Sequence, residues 1–232
     1  MSQSTFFRLK AHAALPVLFS CIFLASSLIN RQSPDETGIL GLAETLLTLA
    51  LAGIVILGAG ILGLRILERF RLQCLHISER LLLSFALGTG VIAISLFLLL
   101  MAGFYRPIPI YAVLLLLFIW SGDAWTPVWS ALTALPGRSL RPEKTALLAS
   151  GVIIALCIFI LGTSLIGSLT PPWSYDALKE HLPTPVRFLE DARFIAYPDE
   201  WAINSPAYVN LLFGIGLSVG DDVFPRLIHL FY

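Results

Sequence analysis

The chain has 232 residues, of which 57% are hydrophobic and 13% are charged, and its formal net charge at pH 7 is +0. A soluble domain carries about 25% charged residues, so half that level favours a protein whose main solvent is lipid. A neutral chain offers no electrostatic basis for binding nucleic acid. Its cysteines lie far apart, at Cys21, Cys74 and Cys157, which argues against a disulfide framework or a cysteine-based metal site.

Five apolar segments predict membrane-spanning helices. A helix needs about 20 apolar residues to cross roughly 30 Å of hydrocarbon, and its backbone polar groups are then satisfied internally. The segments are 12–30, 40–64, 81–103, 107–121 and 145–168. Two of these segments have an alternative interpretation. The first resembles a cleaved secretion signal, and the fourth is short enough to be a re-entrant segment that does not cross the membrane.

A glycine-rich run in the second segment, from Gly58 through Gly60 to Gly63, matches the dinucleotide-binding pattern G-x-G-x-x-G. The window from Thr45 to Leu64 holds no charged residue, and it is far longer than a strand of that fold. We therefore interpret the glycines as positions of close packing between membrane helices.

Lysine and arginine predict the orientation of these helices. Nine basic residues lie in three segments, the N-terminal tail, 65–80 and 122–144, whereas the two intervening short loops hold only Arg31 and Arg106. Because cytoplasmic loops carry the excess of basic residues, we expect the N-terminus in the cytoplasm. The 170–205 loop is then extracytoplasmic, in a multi-pass protein of the plasma membrane.

The 170–205 loop is polar and aromatic and predicts short interfacial helices. Thr184 and Pro185 suit an N-cap and a first helical residue, so a helix is expected from there to about Arg193. One face of that helix would lie on the membrane surface. The residues of this face are Val186, Leu189 and Ala192.

The predicted fold is an all-α, polytopic helical membrane protein with five clear transmembrane helices. A sixth is expected over 206–220, and a truncated seventh begins at residue 223, so we expect the sequence to be an N-terminal fragment. Residues 1–144 would form a four-helix extension. Residues 145–232 would begin a second module that contains helix 145–168 and the external loop.

Ionisable residues concentrate in the external loop, in the stretch PPWSYDALKEHLP (Pro171–Pro183). They follow an uncharged run from Thr145 to Leu169. Within six positions lie two carboxylates, a lysine and a histidine: Asp176, Lys179, Glu180 and His181. Asp176 has a structural alternative to a chemical role, because it could be the N-cap of the short helix predicted directly after it.

The order of motifs from Ser168 to Tyr232 resembles that of C-type (GT-C) integral-membrane glycosyltransferases, which include protein mannosyltransferases and bacterial lipid A aminoarabinose transferases. That family has an external aspartate after a membrane helix, then amphipathic helices, a proline–tyrosine helix and an arginine–leucine pair. The matching stretches here are Asp176–His181, Asn204–Tyr208, Leu211–Gly214 and Pro225–Leu227. Two features depart from the family: four extra helices precede the membrane helix that leads to the aspartate, and Ala177 replaces the second acid that several members carry.

The resemblance implies transfer of a sugar from a polyprenyl-phosphate donor to an acceptor on the extracytoplasmic side, with inversion at the anomeric carbon. Asp176 would be the catalytic base, because the leaving group is already a phosphate and the acceptor hydroxyl needs a proton acceptor. The acceptor is unknown, and so is the cofactor. The resemblance leaves a divalent metal open but does not support one, because Ala177 stands in place of the second acid.

Six neighbouring residues are candidates for substrate binding. Glu180 would share a metal or the acceptor with Asp176. Lys179 and Arg187 would hold the donor phosphate or lie among lipid headgroups. The aromatic rings would stack on sugar or belong to the interfacial aromatic belt. The complete set is Glu180, His181, Lys179, Arg187, Trp173 and Tyr175.

Two other classes of function compete with the transferase. A transporter or channel needs ionisable groups inside the membrane, but the five segments carry none near their centres, and Glu44 lies close to an end. A non-catalytic assembly or scaffold subunit would use the external loop only to dock a partner.

Overall fold

The computed structural model describes residues 16–22, 25, 39–70, 77–122, 144–170, 179, 181–200, 204, 208–220 and 222–230. Every regular element in these ranges is a helix, which confirms the all-α class for this part of the chain. The helices are α1 (16–22), α2 (Ile39–Arg69), α3 (Ile77–Met101), α4 (Pro107–Ser121), α5 (Lys144–Leu169), α6 (Pro183–Asp191), α7 (Tyr208–Leu217) and α8 (Val223–His229).

Helical residues lie within all five predicted spans, but among the described residues only two helices meet the criteria of length and apolarity for crossing a membrane. These two are Ala43–Arg69 in α2 and Glu79–Met101 in α3. The helix α4 has 15 residues and is therefore only about 22 Å long. Its bounds, Pro107–Ser121, coincide with those of the predicted fourth segment.

Small residues bring α2 and α3 into backbone contact. A Cβ atom added to Gly63 would lie 1.7 Å from the carbonyl oxygen of Ser84, and one added to Gly88 would lie 1.7 Å from that of Ala59. The two contacts run in opposite directions along the chain, so the helices are antiparallel. The predicted role of the glycine run in close helix packing is confirmed at Gly63.

Aromatic side chains hold α1 and α4 beside α2. The ring of Phe118 fills the space over Gly58, where an added Cβ would lie 2.3 Å from its Cε1 atom. Phe118 also meets Phe19 of α1 edge to face, at 5.2 Å between ring centroids. Phe19 in turn stacks on Tyr111, so one aromatic chain connects the three helices.

The loop after α3 is a Schellman turn that directs Tyr105 into the core. Gly103 has φ +78, a left-handed conformation that glycine adopts without strain. The N–H of Phe104 donates to the carbonyl of Leu99 (2.8 Å), and that of Gly103 donates to Leu100 (3.2 Å). Tyr105 is then fully buried.

The predicted sixth span is wrong in length, because α7 has only 10 residues. It measures about 15 Å, half the thickness of the hydrocarbon layer. Residues 210–216 are buried, and α7 packs against α3, α4, α6 and α8. The chain turns at Gly220 (φ +85) and returns as α8, whose Phe224 packs against Gly216. The expected start of a seventh span is thus a seven-residue helix on this core.

Candidate functional site

Four of the predicted site residues lie outside the described residues: Trp173, Tyr175, Asp176 and Glu180. The assignment of Asp176 as catalytic base therefore stays a prediction. The structure does describe Lys179, His181 and Arg187, and it places the last two in different surroundings. Lys179 is exposed.

His181 contacts the core helix α7. Its Nδ1 atom lies 3.1 Å from the side-chain oxygen of Asn210, a residue that is only 3% exposed. An amide oxygen accepts hydrogen bonds and never donates them, so the proton of a neutral His181 ring is on Nδ1. The Nε2 atom then carries the lone pair, and it has no hydrogen-bond partner within the described ranges.

The helix α6 follows His181 and differs from its prediction at the start and in its buried face. It begins at Pro183 with Leu182 as the N-cap, so Thr184 is not the cap. The buried residues are Thr184, Pro185 and Phe188. Of the predicted apolar face, Val186 is 37% exposed, Leu189 is partly buried against the core and Ala192 is buried.

A contact distant in sequence decides which face of α6 is buried. The ring of Phe188 packs edge to face on Tyr105, at 6.3 Å between centroids. The backbone N–H of Tyr105 also donates to the carbonyl of Ala192 (2.9 Å). Ala192 ends the helix in a left-handed conformation, with φ 59. Helical periodicity alone could not reveal these contacts.

Tyr105 anchors the α3–α4 loop to α7 as well. Its hydroxyl donates to the backbone carbonyl of Leu211 at 2.7 Å, and Gly214 provides the space, since an added Cβ would lie 1.9 Å from that hydroxyl. Burial raises the pKa of Tyr105 far above its ordinary value. The phenol therefore stays protonated and remains a donor.

A polar network orders the segment after α6. The hydroxyl of Tyr197 donates a short hydrogen bond to the carboxylate of Asp191, and this bond raises the pKa of Tyr197. The side chain of Asn204 pairs with the backbone of Tyr197 through two bonds, N–H to Oδ1 (2.8 Å) and Nδ2 to O (2.7 Å). Tyr197 is thus bonded both to the last residue of α6 and to Asn204.

Arg187 belongs to this network. Its guanidinium lies 5.6 Å from the centroid of the Tyr197 ring, and its Nη2 atom is 3.8 Å from a carboxylate oxygen of Glu200. Both members of the ion pair are about half exposed, and such a surface pair contributes little to stability. An anionic ligand could therefore replace Glu200 at a small energetic cost.

Sequence reasoning missed Asn210 and Tyr105. A polar residue inside the apolar run YVNLLFG is the signal that could have identified Asn210, because a buried amide needs a hydrogen-bond partner. Tyr105 has no comparable local signal. Among the described residues, no group of three or more histidine, cysteine, aspartate or glutamate side chains is placed to hold a metal ion.

The chain matches no protein-family model, and no curated protein or solved structure is significantly similar to it. The resemblance to C-type glycosyltransferases consequently rests on the order of motifs between residues 168 and 232. Membership of that family is a proposal.

Proposed function

We propose that the chain belongs to a multi-pass membrane glycosyltransferase that transfers a sugar from a polyprenyl-phosphate donor to an extracytoplasmic acceptor. The observation that carries the proposal is the contact between His181 and Asn210. His181 ends the first motif of the resemblance, and Asn210 lies between the second motif and the third. The end of the first motif therefore lies against α7, the helix that carries the third motif.

The surface of α5 supports a position in lipid. Four consecutive residues, which point around the whole helix, are exposed by more than half: Ile158 (66%), Phe159 (67%), Ile160 (58%) and Leu161 (59%). Soluble monomers rarely expose large contiguous apolar patches. A helix that is apolar all round is typical of a membrane span. In α3, only 28% of the most apolar window is buried.

Two contacts support the proposed sidedness. The loop at Tyr105 was predicted to be extracytoplasmic, and its contact with Ala192 brings it to the segment predicted on the same side. At the opposite ends of α2 and α3, Glu68 and Arg80 are 3.4 Å apart, beside the loop predicted to be cytoplasmic. Both pairs agree with the predicted grouping of the loops at two ends of the helices, and the basic residues predict which end is cytoplasmic.

The proposed chemistry requires one base. The Asp176 carboxylate takes the proton of the acceptor hydroxyl while that oxygen attacks the anomeric carbon of the donor sugar. The bond from this carbon to the phosphate oxygen breaks, and polyprenyl phosphate leaves with the electron pair, which inverts the configuration. Lys179 and Arg187 are the cations proposed to bind the phosphate.

The competing functions have no comparable support. In the described helices α2 to α5, the charged residues lie near helix ends and none lies between Thr45 and Leu64. A coupled transporter needs such groups at mid-depth. For a scaffold subunit, no described contact favours a docking role over a substrate site.

The test is a transfer assay with the full-length gene product in membrane vesicles. Donors are polyprenyl phosphates that carry a radiolabelled hexose or pentose, and vesicles without the protein are the control. We expect label to enter a membrane or protein acceptor only when the donor faces the extracytoplasmic side. Absence of transfer from every donor, with the protein folded and inserted, would contradict the proposal.

A further inference from the structure

We infer that Asn210 is a positioning residue that presents Nε2 of His181 as a hydrogen-bond acceptor to the acceptor's hydroxyl group. The inference rests on the proposed function, because that function supplies the hydroxyl. It assigns a role to Asn210, which the sequence did not single out. It also states that His181 accepts, and does not donate, the hydrogen bond in its predicted substrate contact. The reasoning starts from the burial of Asn210.

Asn210 is a polar residue in an apolar environment. The next five residues along α7, from Leu211 to Ile215, are all buried, and Asn210 itself is 3% exposed. Burial of an amide is unfavourable unless it is hydrogen-bonded. The bond to His181 meets this need for its oxygen. A leucine would fill the same place without that requirement, so the amide points to a specific task.

The oxygen of Asn210 has a fixed position. Its neighbour Leu211 accepts the hydrogen bond of the buried Tyr105 hydroxyl (2.7 Å), which ties this turn of α7 to the α3–α4 loop. His181 is held from its other side, because the chain continues directly into α6, whose Phe188 packs on Tyr105. Tyr105 thus supports both partners of the contact.

The fixed ring selects a class of ligand. With Nδ1–H engaged by Asn210, the Nε2 lone pair can accept a bond from an O–H group but cannot receive an anion. The acceptor of a glycosyl transfer attacks through such a hydroxyl, and the donor sugar carries hydroxyls too, whereas the ionised donor phosphate has none. The closeness in sequence of His181 to Asp176, the proposed base, favours the hydroxyl of the acceptor. His181 therefore orients the attacking hydroxyl, and Asp176, five residues earlier, is left to take its proton.

The orientation of the ring can be measured without any substrate. In protein labelled with ¹⁵N-histidine and placed in nanodiscs, the ring ¹⁵N resonances show which nitrogen carries the proton. We expect the Nδ1–H form of His181 in the wild type. In Asn210→Leu, which fills the buried site with an apolar side chain, we expect this preference to be lost. A wild-type ring protonated on Nε2 would overturn the inference.

The functional part uses the transfer assay. His181→Asn retains an N–H that can reach Asn210 but has no group at the place of Nε2, so kcat/KM should fall about 100-fold, the effect of a misplaced reactant. Asn210→Leu should lower it about 10-fold, mainly through kcat, because the ring remains but is no longer fixed. The matched control is His229→Asn, at an exposed histidine of α8, which should be unchanged.

The outcomes separate the two proposals. If the wild type transfers sugar and His181→Asn does so equally well, the contact is only structural and the inference fails while the proposed function stands. If the folded wild type transfers no sugar from any donor, the proposed function fails, and the substrate role of His181 fails with it. The NMR result still decides in that case whether Asn210 fixes the ring.

Discussion

The hydroxyl of Tyr105 donates a hydrogen bond to the backbone carbonyl of Leu211, which lies 106 residues further along the chain, at 2.7 Å. This bond joins the loop between two apolar helices to the core helix that carries Asn210. The same tyrosine also binds Ala192 through its backbone N–H. One buried residue therefore connects the helices of the predicted extension to the segments that carry the candidate site.

We predict that Tyr105→Phe lowers the free energy of unfolding by about 1–3 kcal/mol, because the ring still packs but a buried hydrogen bond is lost. Thermal unfolding in detergent measures the change. Tyr111→Phe is the matched control, since that hydroxyl binds the partly buried Ser20 side chain and its loss should have a smaller effect. Equal melting temperatures for wild type and Tyr105→Phe would contradict the anchoring role.

Two glycines of α2 should respond in opposite ways to the same substitution. Gly63→Ala places a Cβ against the Ser84 backbone, so α2 and α3 must move apart and the protein should lose stability. Gly60→Ala meets nothing within 4 Å, and alanine is favoured over glycine in a helix by up to about 1 kcal/mol. A Gly63→Ala protein as stable as Gly60→Ala would refute the close approach of the helices.

Helix positions were predictable because each long apolar segment carries its own signal in composition. The short elements were not, because their burial depends on distant partners. The periodicity placed Val186 on the apolar face, yet Val186 is exposed, and Phe188 is buried against Tyr105. The apolar run after residue 206 satisfied a hydropathy criterion, but protein and not lipid covers α7.

Only part of the candidate site could be predicted from the sequence. His181 was identified because it lies in a cluster of ionisable residues, and a motif order suggested a use for it. Its partner Asn210 is 29 residues away among apolar side chains, so no local pattern joins the two. The same holds for Tyr197, whose bonds to Asp191 and Asn204 appear only in three dimensions.

Alkaline pH should weaken the network around Tyr197. Its pKa is raised above the ordinary value of 10.0, first by the hydrogen bond to Asp191. A raised folded-state pKa means that this contribution to stability is complete below pH 10 and is lost as pH rises through the higher value. The ultraviolet titration of tyrosinate, taken as the difference between wild type and Tyr197→Phe, should have its midpoint above 10. A midpoint at or below 10 would exclude the bond.

The orientation predicts which engineered cysteines react from outside the cell. With Cys21, Cys74 and Cys157 replaced, a cysteine at the exposed Asp199 should react with a membrane-impermeant thiol reagent in intact cells or spheroplasts. One at the exposed Phe70 should react only after permeabilisation. The reverse pattern would place the candidate site in the cytoplasm and contradict the proposed function.

The central claim is that Asp176 is the base of a glycosyl transfer, and Asp176→Asn in the full-length protein tests it most directly. Asparagine preserves the size and capping ability of aspartate but cannot take a proton, and general-base catalysis contributes about 10²–10⁴-fold. The measurement is the rate of sugar transfer from a polyprenyl-phosphate donor, beside the melting temperature and with Glu190→Gln as the control. We predict a loss of that size for Asp176→Asn, with unchanged melting and a normal rate for Glu190→Gln. Transfer at the wild-type rate by Asp176→Asn would contradict the account.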